Sequence, residues 1–175
     1  EIVQTDTETQ SGEELESTYN LTDFAPMAPK EKVEVTINKG EKAVLRYLIN
    51  GAERKVNRLR LFKLKNDNHL NFQNYLENPD PATIESGNWW LTEYGEDPDN
   101  ALPWAGSLKN NDRYTLYFVV QDNDGQYDLD DTEGRILDPT VIGEYSGTSS
   151  IKGGNTGGGG GCFISTSTNG SCTVK

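Results

Sequence analysis

Asp122, Asp124, Asp128 and Asp131 lie close together in one short acidic stretch of this chain, with Gly125 between the second and the third of them. Closely spaced carboxylates around a glycine offer what Ca2+ needs: roughly six to eight oxygens and a backbone able to wrap. An EF-hand is excluded, because its first position would be Val120, no glutamate falls at its last, and no helix flanks the loop. The stretch therefore reads either as a calcium loop or as a metal-free acidic turn held by Asx hydrogen bonds and Arg135. Other chemistry is thinly supplied. The single histidine, His69, sits in the polar, turn-like run Asn66-Asp67-Asn68-His69, a poor setting for a catalytic triad. A zinc site from His69, Cys162 and Cys172 would lack paired Cys-x-x-Cys spacing and a fourth ligand. Glu93, Glu96, Asp97 and Asp99 offer carboxylate pairs of the kind glycosidases use, but they read better as a solvated Asp/Pro loop. The expectation is a protein that is not an enzyme and has no certain cofactor.

Two further groups carry binding or covalent potential. Trp89, Trp90 and Trp104 border loops, where indoles stack on sugar rings. Adjacent strand residues face opposite ways, so at most one of Trp89 and Trp90 points to a core; a tail, a neighbour or a ligand packs the other. Nine residues separate Cys162 from Cys172, with Asn169-Gly170 as a turn between them. An intrachain disulfide hairpin, bridges to another subunit, and free or modified thiols all fit that spacing. An oxidising compartment favours the first.

The elements that must position these residues are strands. Val33, Val35 and Ile37 alternate with polar neighbours, and Ala43–Ile49 follows, closing at the hairpin dipeptide Asn50-Gly51. Arg58–Leu64, Trp89–Tyr94 and Arg113–Gln121 continue the pattern, the last with Tyr114, Leu116, Phe118 and Val120 on one face. Short strands at Arg135–Leu137 and Val141–Tyr145 complete the set, and Asn71–Leu76 reads as one helical turn. No amphipathic segment is long enough for a stable helix. The expected fold is an all-β, Ig-like antiparallel β-sandwich over residues 31–146. An acidic tail precedes it (1–30), a Gly/Ser-rich linker follows (147–161), and a C-terminal cysteine hairpin (162–175) ends the chain.

Both tails are strand-forming. Val3, Thr5, Thr7 and Thr9 form one β-branched face, with no evident hairpin partner, and Ile164, Thr166 and Thr168 repeat the pattern at the other end. Such segments can complete an open sheet in a neighbouring molecule. Sixteen basic against twenty-eight acidic residues leave a charge of −12, which argues against binding nucleic acid through phosphate neutralisation. No apolar run is long enough for a membrane-spanning helix. Eleven of the sixteen basic residues fall in residues 30–65, while residues 93–138 hold twelve acids, so the subunit is bipolar. The opening Glu1-Ile2-Val3 has no methionine and no basic-then-apolar leader, as in a trimmed chain or one whose signal peptide has been removed.

The run Asp122-Asn123-Asp124-Gly125 through Asp128, then Gly134-Arg135-Ile136-Leu137-Asp138-Pro139, resembles the closing signature of the bacterial "choice-of-anchor U" domain. The segment from Asn88-Trp89-Trp90 to Trp104 is similar to the aromatic stretch preceding it. Gly157–Gly161 followed by Cys162-Phe163-Ile164 resembles the CFI-box sorting region found behind such domains. The resemblance implies a secreted β-sandwich on a bacterial surface, without known catalysis. The expected role is a self-assembling filament or surface-layer subunit whose partners are copies of itself. The alternative is a monomeric adhesin or carbohydrate-binding module, stabilised by Ca2+ and facing a cell-surface or glycan ligand.

Overall fold

The structure is a computed structural model, and it describes residues 6–7, 24–27, 31–65, 68–128 and 130–145. Among these described residues, twelve strands run in chain order: β1 (Asp6–Thr7), β2 (Phe24–Pro26), β3 (Glu31–Thr36), β4 (Lys42–Asn50), β5 (Arg54–Lys55), β6 (Leu59–Lys65), β7 (Asn68–Phe72), β8 (Asn74–Tyr75), β9 (Asn88–Glu93), β10 (Ser107–Leu108), β11 (Arg113–Gln121) and β12 (Arg135–Tyr145). Among the described residues, the only helical element is the 3-10 turn Val56–Arg58. No described helix is long and apolar enough to cross a membrane.

Two sheets face each other. The first runs β1-β3-β12-β6-β7, with β2 also on β12, and the second runs β4-β11-β9-β8; β5 and β10 form a small separate ladder. Alternation makes the interface. Ala43, Leu45, Tyr47 and Ile49 of β4 and Tyr114, Leu116, Phe118 and Val120 of β11 all point inward. They meet Val35, Leu59, Leu61, Phe72, Ile136 and Ile142 from the first sheet. Phe118 lies at the centre, edge-on to Tyr47 at 6.0 Å and to Phe72 at 5.6 Å. Full burial of each such side chain contributes about 1.5–3 kcal/mol.

The all-β sandwich expectation holds, and four of its details change. First, β12, the last strand, lies between β3 and β6, unlike the ABED/CFG order of immunoglobulin domains, where the last strand is at an edge. Second, β12 is one continuous strand through Pro139. It pairs with β3 over Arg135–Thr140 and with β6 over Thr140–Glu144, so proline stands where only one side is paired. Third, Asn71–Leu76 is not a helical turn. Asn71 and Phe72 pair with β6, and Tyr75 pairs with Trp89, so tertiary pairing overrides local preference.

Fourth, Asn50-Gly51 does not close a hairpin, because β4 pairs with the distant β11. Glycine is needed there for another reason. A Cβ at position 51 would sit 2.2 Å from the Lys109 carbonyl oxygen, and the Gly51 N–H donates to Asp112 O at 2.7 Å. The N-terminal tail does find a partner: Asp6 pairs with Lys32 and Thr7 with Glu31, both on β3.

Candidate functional site

The aspartate loop joins β11 to β12 and closes one end of the sandwich. Asp122 is buried, and its carboxylate accepts from the Gly40 N–H (Oδ2, 2.8 Å) and the Gly134 N–H (Oδ1, 2.9 Å). It therefore ties the β3–β4 turn to the start of β12. Gly134 has φ +78, and a Cβ there would lie 2.8 Å from the Ile37 carbonyl oxygen, so a larger residue would push the two loops apart.

Asp124 caps the next turn. Its Oδ1 accepts from the N–H groups of Gln126 (2.8 Å), Tyr127 (2.6 Å) and Asp128 (3.0 Å), while Oδ2 accepts from the Ser86 hydroxyl. Burial opposes ionisation of Asp124, but Ser86 and the three amides outweigh it and hold the carboxyl below its ordinary value. Asp128, also buried, accepts from the N–H groups of Asn123 (2.9 Å) and Asp130 (3.0 Å). Asp130 accepts from the Thr132 N–H and pairs with Arg135 Nε at 2.6 Å. Thr132 chiefly, with help from Arg135, holds the Asp130 carboxyl low as well.

These contacts show how the chain itself uses Asp122, Asp124 and Asp128, three of the four residues of the expected calcium loop. Among the described residues, no three metal-ligating side chains converge to hold an ion. The first three carboxylates point at backbone amides rather than at a common centre, and Asp131 is exposed. The Asx bonds and the Arg135 pair expected of an acidic turn are present, and oriented N–H dipoles face its carboxylates.

The three tryptophans are packed by other residues of the chain to different degrees. Trp89 is in the core, edge-on to Tyr75 at 4.9 Å. Trp104 is half-buried against the same tyrosine at 5.1 Å. Trp90 faces the outside of the second sheet, yet is only 3% exposed. Its ring stacks on Tyr117 at 5.2 Å and 8°, its Nε1 donates to Pro98 O at 2.9 Å, and Ile84 and Ala101 pack around it. The cover for Trp90 is thus part of its own chain.

Of the tail residues, Thr7 lies in β1. Val3, Thr5, Thr9, Ile164, Thr166, Thr168, Cys162 and Cys172 lie outside the described residues.

The structure exposes a different aromatic. Tyr94, directly after β9, is 54% exposed, and Leu48 on β4 is 45% exposed. Together with Arg46, Glu96, Thr115 and Tyr117 they line a cleft of about 560 Å³. The signal for Tyr94 was its parity with Trp90 in the run Trp89–Tyr94, but nothing local marks which of the two the loops would cover. A second cleft, of about 540 Å³, is edged by Arg54 and Arg58, both engaged by Glu144 at 2.6 and 3.4 Å.

Fold and loop together define an all-β sandwich closed at one end by a self-satisfied aspartate turn. No protein family, curated protein or solved structure matches the chain.

Proposed function

We propose that this chain is a non-catalytic, secreted bacterial structural subunit that assembles into a filament or surface layer by exchanging β-strands between copies. The reading rests on one observation: β1 is an add-on strand. Among the described residues it pairs antiparallel with β3, Asp6 opposite Lys32 and Thr7 opposite Glu31. A strand added to the outer side of β3 from a position 24 residues away in sequence can be supplied equally well by a neighbouring copy, which turns a self-capped monomer into a head-to-tail chain. The bipolar charge distribution and the resemblance to anchored surface domains agree with that role.

The test uses two proteins in a Cys162→Ser, Cys172→Ser background, one carrying Thr7→Cys and the other Glu31→Cys, since these positions are opposed in register. Mixed and oxidised, they should form disulfide-linked heterodimers, and the parent protein should show regular filaments or sheets by negative-stain electron microscopy. Absence of the heterodimer, with dispersed compact particles of the parent, would overturn the proposal. Removing residues 1–10 should leave a folded protein that does not assemble.

A further inference from the structure

We propose that the groove between Tyr94 and Tyr117, on the outer face of the second sheet, binds a neutral saccharide chain. Strand register builds it. One row across the sheet is Arg46, Tyr117 and Trp90; the next is Leu48, Thr115 and Thr92; Arg113 and Tyr94 follow, joined by the Tyr94 N–H to Arg113 O bond at 2.9 Å. The two aromatic rows are separated by four residues of β11, about 13 Å at the usual strand rise. Leu48 and Thr115 line the groove in the row between them, while Thr92 of that row is buried.

Its chemistry favours a polyol. One face of the Tyr94 ring is backed by the Arg113 guanidinium, 4.2 Å from the ring centroid. Arg113 belongs to a separate hollow beyond Tyr94, away from the groove, so the other face of the ring is left to pack on an apolar sugar face. Arg46 and Glu96 stand in the same groove with opposite charges, offering donors and acceptors without net charge. A neutral ligand with many hydroxyls matches that balance; an ionic ligand does not. Glu96 is set by two contacts, its N–H to Glu93 O at 3.2 Å and its Oε2 accepting from Asn100 Nδ2 at 3.3 Å. The Arg54/Arg58 cleft lacks an aromatic platform, and its guanidinium groups are already engaged by Glu144. The proposal does not rest on strand exchange: the groove uses no tail residue, and the assembly uses none of the groove.

The probes are cellohexaose, chitohexaose and maltohexaose, titrated calorimetrically against the full chain at concentrations up to about 10 mM, which detects affinities down to the millimolar range. At least one should bind with one site per chain. Tyr94→Ala should weaken it about tenfold, the size expected for loss of one aromatic contact, while Tyr94→Phe retains it. Tyr94 is exposed, so the alanine variant should melt with the parent. No binding by any of the three sugars would overturn the proposal, as would binding that Tyr94→Ala leaves unchanged. A change in sedimentation of Tyr94→Ala without any effect of sugar would instead make the groove an interface between proteins, and would also overturn it.

Discussion

The aspartate loop and the Tyr94 groove exchange the roles their compositions suggest. The loop is the most acidic, most ligand-like stretch of the chain, yet Asp122, Asp124 and Asp128 direct their carboxylates to amides of the chain itself. The groove is unremarked in composition, yet it leaves an aromatic ring, an aliphatic side chain and a pair of opposite charges open to solvent. The difference shows that capacity to bind is decided by which groups the fold leaves unengaged. Residue type alone sets only what those groups could do. Trp90 and Tyr94 make the same point on a smaller scale: two aromatics of one parity, separated by a single row, one roofed by Ile84 and Pro98, the other not.

The contrast breaks most visibly at Asp122. Asp122→Ala leaves two amides, those of Gly40 and Gly134, without their acceptor, and should cost about 3 kcal/mol by urea denaturation. A cost within that of an ordinary surface substitution would mean the loop does not hold the end of the sandwich together.

A smaller effect is expected at Asp124, where it appears as pH dependence. Its folded-state pKa is depressed, so its contribution is present above the unfolded value near about 4 and is lost as pH falls through the folded value. Asp124→Asn should therefore be less stable at neutral pH, by about 1 kcal/mol for the weakened hydrogen bonds. It should also show a flatter acid limb than the parent in thermal melts across that range. Identical acid limbs would remove Asp124 from the account.

The smallest effect is a null one. Since the loop's carboxylates are engaged by N–H groups, millimolar calcium and EDTA should give superimposable melting curves, whereas a bound ion would raise the transition by mass action. A calcium-dependent rise would make the loop a ligand site after all and erase the contrast with the groove.

Much of the fold is legible in the sequence wherever one face of a strand is buried. The alternations in Ala43–Ile49 and Tyr114–Val120 mark the inward faces correctly, and Trp89 and Trp90 divide between core and outer face as their adjacency requires. Register and partnership are not legible, because they depend on distant residues. Asn50-Gly51 has the composition of a hairpin turn but answers to the close approach of Lys109. Pro139 looks like a strand end until β3 and β6 are seen to share β12 on either side of it. At the site, the alternatives of metal loop and Asx turn have the same residues; only the aim of the carboxylates separates them. The exposure of Tyr94 is not legible locally, because it is set by where segments 79–84 and 98–101 stop.

The position of β12 also governs the order in which the molecule can be completed. The strand that β2, β3 and β6 all pair with is the last of the described strands to be synthesised. At translation rates of about 5–20 residues per second, most of the first sheet must wait several seconds beside a partner that does not yet exist. Of this sheet's described pairings, β6–β7 and β1–β3 alone do not need β12. Folding dominated by such distant pairings is slow, and a nascent chain of this kind stays open, and able to be threaded or exchanged, until its final strand emerges.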